Sequence, residues 1–433
     1  MFASTSVESE RAPERYEFLD GLRGLAALVV LFHHVAPPGD GVPAPAPIRL
    51  LFRVLGYGHY AVAVFIVLSG FCLMLPVAGS AEDRLKGGVL AYLGRRARRI
   101  LPPYYAAIAL FLVVIWAFPG MNLRRGESWD IALPVFDGPG AIVSHLLLLH
   151  NFNPEWIYRV DPPMWSVATE WQIYFIFPML LVLRRRMGLA AAVLCAVAAG
   201  YAATLALLKI PGYENLEACP WYLGLFAFGM VAAVLARSRE PRLRATFERI
   251  PWGFALVATA LCAAAAHRYA IPPARSLVAR VLNCPTPPVR MFMDVFAGLA
   301  TATLILACVR VASRSSRGWD WARAVRNSLE SRPAMFLGSI SYSLYLVHYP
   351  LLAGLRLILE GQWSARTVWL AEVILAAPLT LAAAYLFHII AERPFMKTAR
   401  TTTRVAAVPR PHFERARRAS RPGIEGTPTR QTS

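Results

Sequence analysis

Long uncharged runs, each about the length of a bilayer crossing, leave this chain few folds. A helix needs about 20 mostly apolar residues to span a membrane. About ten such runs follow one another, at about 19–36, 57–77, 100–118, 166–184, 190–208, 219–236, 251–267, 291–312, 334–358 and 368–391. Of the 433 residues 57% are hydrophobic and only 16% charged, against roughly 25% charged in an average soluble domain. So few charges cannot clothe a water-soluble globule of this size. The expected fold is an all-α, polytopic membrane helix bundle of about ten transmembrane helices. A disordered main body, a disulfide-rich secreted scaffold and a coiled coil are excluded.

The stretch from Ala141 to His150 is too short to cross and is expected in the interface or as a re-entrant turn. The first apolar run carries Asp20, Arg23 and a histidine pair, unlike the apolar core of a cleavable signal. The net charge of +19 fits cytoplasmic arginines facing anionic membrane lipids, so no nucleic-acid partner is expected. With the N-terminus inside, 33 of the 45 Lys and Arg fall on inner segments and 11 on outer loops. That bias predicts a multi-pass protein of the cell membrane with both termini cytoplasmic.

The expected organisation is a polar segment over 1–17, a transmembrane domain over 18–397 and a basic, disordered cytoplasmic tail over 398–433, with a proline-rich outer loop at 36–47. No internal repeat of the transporter kind is visible. The six cysteines lack any CxxC pair or zinc spacing, and no metal is expected. Cys72, Cys195, Cys262 and Cys308 read as packing residues; Cys219 and Cys284 both fall on the outer side, which leaves a disulfide between them open.

Ionisable groups inside a bilayer are expensive, so each is a functional candidate. In the first run Arg23 and His34 are eleven residues apart, which on a helix is about 20° after whole turns and about 16 Å along the axis. They share a face, and Asp20, one turn before Arg23, can pair with it. His34 reads either as a packed histidine or, with an arginine on the same stripe, as a reactive one. The run RRARRILPPYY (95–105) reads either as a positive-inside anchor or as a site for a ligand with several phosphates, which guanidinium forks bind in bidentate fashion. Its two prolines fit a helix start.

In WSVATEWQIY (165–174), Ser166, Glu170 and Tyr174 fall on one face. Glu170 then lies at the depth of His34, where it would orient or charge the imidazole, or is simply a carboxylate at the headgroup boundary. In LGSISYSLYLVHYPLL, Ser341, Tyr345 and His348 share a face and bond one another across helices on the simplest reading. Asp294, Glu372, Arg356 and His388 read as structural pairs.

Together these segments resemble acyltransferase family 3, membrane O-acyltransferases that modify sugars, lipopolysaccharide, Nod factors and macrolides. The resemblance covers about residues 17–397. Its arginine–ten residues–histidine motif falls on Arg23 and His34, and its RxxR motif on Arg96 and Arg99. VFIVLSGF (64–71), WSVATEW (165–171), LGSISYSLYLVHYP (337–350) and AERPF (391–395) are similar to later blocks, with Trp171 where the family often has a second acidic residue.

The resemblance implies acetyl-CoA (acyl-CoA) as donor and a hydroxyl acceptor on a carbohydrate, glycolipid or secondary metabolite. On it, Arg96 and Arg99, with Arg95 and Arg98 near, hold the CoA phosphates. Pantetheine reaches towards His34, the base or acyl carrier; Arg23 supports the donor, and Glu170 sets the imidazole tautomer. The competing reading is a proton-coupled transporter or flippase using the same intramembrane groups as a relay.

Overall fold

A computed structural model of the chain describes residues 16–35, 47–48, 51, 58–80, 84–117, 139–210, 218–237, 240–269, 289–313, 320–359 and 362–396. Most of the polar N-terminal segment, nearly all of the proline-rich loop, Cys284 and the basic tail lie outside the described residues. Among the described residues there are helices and no strand. They are α1 (Phe18–His34), α2 (Gly58–Ala78), α3 (Gly88–Ala117), the short α4 (Pro139–Leu146), α5 (Trp165–Leu207), α6 (Tyr222–Arg237), α7 (Pro241–Arg249), α8 (Trp252–Tyr269), α9 (Val289–Ser313), α10 (Asp320–Leu329) and α11 (Arg332–Leu359). The last segment runs through α12 (Ala365–Ala371), α13 (Ala377–Phe387) and α14 (Arg393–Met396), joined by π-turns at Glu372–Ala376 and His388–Glu392.

Among the described residues five helices are long and apolar enough to cross a membrane: Gly58–Ala78, Gly88–Ala117, Pro162–Leu207, Arg290–Val311 and Arg366–Met396, with a sixth if the bent pair α6–α7 is one span. This is a multi-pass arrangement, in which the described residues hold fewer qualifying helices than there are runs. Several of the remaining runs sit on helices that fall short for stated reasons. α1 has only 17 residues, about 26 Å at 1.5 Å per residue. α11 has 28, but its serines, tyrosines, His348 and Arg356 dilute its apolarity.

The long α5 accounts for two of the runs. Gly188 breaks it with φ 89° and ψ 169°, a conformation that glycine adopts at little steric cost. On one side of the break the Thr169 hydroxyl donates to the Ala218 carbonyl at 3.1 Å. On the other, a Cβ on Gly200 would lie 2.7 Å from the Pro220 oxygen. A straight helix would hold those two positions about 46 Å apart, whereas Ala218 and Pro220 are two residues from each other. The helix therefore doubles back at Gly188, beside Arg184–Arg186.

The prolines of α3 correct another expectation. The helix starts at Gly88, so Pro102 and Pro103 lie inside it and not at its start. They have no N–H to offer the carbonyls of Arg98 and Arg99.

α1 packs on α11, α2 on α6, and α5 on α6. Two of these crossings are closed by glycine. A Cβ on Gly24 would collide with the Gly338 nitrogen and one on Gly338 with the Asp20 oxygen; between α2 and α6, a Cβ on Gly70 or Gly229 would run into the carbonyl oxygen of Phe226 or Val67. Lipid tails are as apolar as leucine, so membrane helices associate through such close approach. Leu31, Phe71, Tyr104, Phe177 and Phe226 fill the core between them.

Candidate active site

The α1–α11 crossing sets one end of α1 against the middle of α11. His34, the last residue of α1, points its Nδ1 at the Val30 carbonyl (2.9 Å) and at Nε2 of His348 (3.1 Å). His348 points its own Nδ1 at the carbonyls of Tyr345 (2.7 Å) and Leu344 (3.1 Å). A ring nitrogen facing carbonyl oxygens must carry the proton, so His348 is protonated on Nδ1 and offers a lone pair at Nε2. His34 is likewise protonated on Nδ1, which leaves its lone pair on Nε2. Around His34 stand His33 and His348, each with its centroid at 4.9 Å, and Tyr349 edge-on at 5.4 Å.

A second layer fixes α11 against the start of α5. The Tyr345 hydroxyl donates to the Pro163 carbonyl (3.0 Å) and lies 2.6 Å from the Ser166 hydroxyl. The Tyr345 ring lies 5.8 Å from that of His348. The structure thus brings His34, His348, Tyr345 and Ser166 together from three helices. Ser341 takes no part, because its hydroxyl bonds Gly338 on its own helix.

Glu170 is placed elsewhere. Its carboxylate accepts from the Tyr174 hydroxyl one turn on, and Ser69 lies 2.9 Å from the same hydroxyl. Its charge acts on Arg23. The tautomer of His34 is set by a backbone carbonyl and by His348, not by Glu170 as the spacing suggested. Helical spacing put the carboxylate on a plausible face, and its own i+4 tyrosine engaged it.

Towards the other end of α1, Arg23 donates to Asp20 at 3.1 Å and to the Cys72 sulfur at 3.9 Å. Spacing on α3 divides the arginine run. Arg96 and Arg99 are half-buried, while Arg95 and Arg98 are exposed and bonded to the carbonyls of Lys86 (2.9 Å) and Gly94 (3.3 Å). Arg99 lies within electrostatic reach of Arg23, Arg96, Tyr174 and Glu392, and Arg96 Nε is buried without a partner. Three cations from two helices therefore converge, with the carboxylates of Asp20, Glu170 and Glu392 near them.

Asp294, Glu372, Arg356 and His388, read from the sequence as structural pairs, find partners, whereas Glu392, Ser343, His59, His145 and Asp161 escaped the sequence reading. Glu392, in a π-turn, accepts from Ser343 (2.6 Å) and pairs with His388 (2.9 Å). The buried Asp294 accepts from Trp221 (2.9 Å) and faces His59 (3.7 Å). Arg356 and Glu372 form a bidentate pair with both bonds at 2.6 Å. At the end of α4, His145 stacks on His150 of the following turn at 3.8 Å, and Asp161 is buried further along the chain. Burial pushes the His145 imidazole down to about 4 against a pull from the Ala141 carbonyl, pushes that of His150 well below its usual value, and lifts the Asp161 carboxyl well above the carboxylate range. Two histidines in an apolar stretch were the available signal; the turn at Leu148, with φ 55°, is what stacks them. Among the described residues no three His, Cys, Asp or Glu side chains group to hold a metal ion.

Comparison with known proteins decides what such a site belongs to. Residues 16–389 match the acyltransferase domain that defines acyltransferase family 3. The chain belongs to that family. Acyltransferase MdmB of Streptomyces mycarofaciens is 28% identical over 431 residues, covering 94% of this chain and 98% of its own. A putative peptidoglycan O-acetyltransferase, YrhL of Bacillus subtilis strain 168, is 26% identical over 350 residues, 77% of this chain and 48% of its own. Peptidoglycan O-acetyltransferase OatA of Listeria monocytogenes is 25% identical over 167 residues, 38% of this chain and 24% of its own. No solved structure matches. The protein is an acyltransferase of family 3, built of apolar helices as a multi-pass membrane protein.

Proposed function

We propose that this family 3 acyltransferase moves an acetyl group from acetyl-CoA to a hydroxyl of a carbohydrate, glycoconjugate or glycosylated secondary metabolite. The observation that carries the reading is the polarised pair His34–His348. Its fixed tautomers present a basic Nε2 on His34, at the far end of the helix whose other end carries Arg23.

Arg96 and Arg99, joined by Arg23, hold the phosphates of CoA, with Arg95 and Arg98 at the entrance. An extended pantetheine arm is about as long as the roughly 16 Å between Arg23 and His34, so the thioester reaches the imidazole. His34 acts as general base. Its Nε2 takes the proton of the acceptor hydroxyl while that oxygen bonds to the thioester carbonyl carbon. The tetrahedral intermediate then collapses, the C–S bond breaks, and the imidazolium returns the proton to the departing thiolate. While His34 is cationic, its Nδ1–H donates more strongly to Val30 and His348, with Ser166 and Tyr345 keeping His348 in place. Arg23 faces the developing negative charge or the donor, and Glu170 and Asp20 balance the arginines around it.

The bias of Lys and Arg across the apolar runs supports a cell-membrane protein of about ten spans with both termini in the cytoplasm, so that the donor enters from the cytosol. The test is acetyl transfer in detergent, where no gradient exists, from labelled acetyl-CoA to an oligosaccharide acceptor. Thioester-dependent product that Arg99→Ala weakens supports the proposal; absence of product from an intact, folded enzyme with every hydroxyl acceptor class, while transport in vesicles persists, replaces it with a carrier.

A further inference from the structure

A cavity of about 460 Å³ lies between the entry to α3 and the first half of α5, within the size range of small-molecule sites. It is remote from the histidine pair. Arg84 lines it from the chain before α3 and Arg185 from the end of α5's first half, with Leu85, Val89, Met179 and Val182 between them. Both arginines are exposed, and neither makes an ion pair or hydrogen bond among the described residues. The apolar walls also face outwards: Met179 is 68% exposed, Val89 46% and Val182 38%.

This combination selects its occupant. A groove on an apolar, membrane-crossing segment opens sideways to hydrocarbon, where exposed Met and Val side chains meet acyl chains without cost. Two arginines at its end need an anion that stays with those chains. Coenzyme A offers phosphates but a polar nucleotide, which would leave the apolar walls uncovered, and Arg96 and Arg99 already face inwards on α3. The arginine-rich segments that carry Arg84 and Arg185 belong to the side where the leaflet is anionic.

We propose that this groove is a binding site for one anionic phospholipid, its phosphate between Arg84 and Arg185 and an acyl chain along Val89, Met179 and Val182. The lipid bridges α3 and α5, the two helices that carry Arg96, Arg99 and Glu170. It ties the donor-facing helix to the hairpin that bends at Gly188.

The test is lipid retention by the full-length protein in detergent, read by native mass spectrometry with phosphatidylglycerol and phosphatidylcholine of identical chains. One phosphatidylglycerol is expected to bind, with phosphatidylcholine at least tenfold weaker. Since each arginine near a membrane surface contributes about one factor of five to ten, Arg84→Gln with Arg185→Gln is expected to weaken phosphatidylglycerol about thirtyfold. Met179→Trp, which fills the groove and leaves both cations, is expected to expel the same lipid. Equal retention of the two lipids, or unchanged phosphatidylglycerol binding in both variants, overturns the proposal. So does displacement of the lipid by 3′,5′-adenosine diphosphate, which would make the cavity a nucleotide site.

Discussion

The histidine end and the arginine end of α1 are built on opposite principles. At the histidine end His34 meets His348 at 3.1 Å and Tyr345 meets Ser166 at 2.6 Å, the Val30 and Pro163 carbonyls hold His34 and Tyr345 at 2.9 and 3.0 Å, and His348 is almost wholly buried at 1% exposure. At the arginine end Arg96 and Arg99 keep part of their surface, and Arg96 Nε is without a partner. On the proposed mechanism, a group that holds one tautomer through a reaction is fixed beforehand, and groups that receive a bulky polyanion keep free donors. The first arrangement favours rate and the second affinity.

This contrast breaks first at His34. His34→Ala is expected to lower acyl transfer by about 10²–10⁴-fold, the usual worth of a positioned acid–base group. The measurement is single-turnover rate at saturating donor, and an unchanged donor KM would separate it from the other end. Gly338→Ala is the next largest effect but reads structure. Its methyl would enter the Asp20 carbonyl, at about 3 kcal/mol by the cost of overpacking, and a matching fall in thermal midpoint in detergent checks it. Arg99→Ala is expected to raise the donor KM about tenfold or more with little change in the rate at saturation. A fall in rate alone would mean that the two ends are not separate in function.

The α1 stripe and the pairing of Asp20 with Arg23 were legible in the sequence, because each depends only on helical spacing; Arg96 and Arg99 were singled out by the family motif, and their half-burial is a finding of the structure. Glu170 was legible as a carboxylate sharing a face with Tyr174 but not in its partner. The i+4 tyrosine engages it, and which neighbour wins is a packing outcome. His348 was singled out, yet its bond to His34 crosses 314 positions of chain and rests on two glycines, Gly24 and Gly338, that carry no chemical signal of their own. Among the described residues fewer helices than runs are long and apolar enough to cross by themselves, since the site-bearing helices give up some of their apolarity. Conversely, one apparently continuous helix, α5, contains two of the predicted runs because a single glycine reverses it.

His348→Gln sharpens the comparison with a smaller effect. An amide keeps a polar group near His34 but loses the fixed imidazole geometry, and a fall in rate of about tenfold is expected with donor KM unchanged. The smallest effect concerns α4. Because folded His145 titrates near 4 and an exposed histidine near 6.5, the unfolded chain binds the extra proton between those values. Stability contributed by the neutral ring is therefore present above about 6.5 and is lost as the pH falls towards 4. Thermal midpoints measured from pH 7 to 4.5 are expected to drop, and to drop less in His145→Gln.

The central claim is that one imidazole, held by Val30 and His348 with its lone pair on Nε2, performs the transfer. The most direct measurement follows radiolabelled acetyl from acetyl-CoA to acceptor in purified His34→Ala, alongside wild type and His348→Gln, in the same detergent and with folding checked by thermal midpoint. The account predicts product in wild type, about a tenth of that rate in His348→Gln, and essentially none in His34→Ala. Wild-type turnover by a correctly folded His34→Ala enzyme would contradict it.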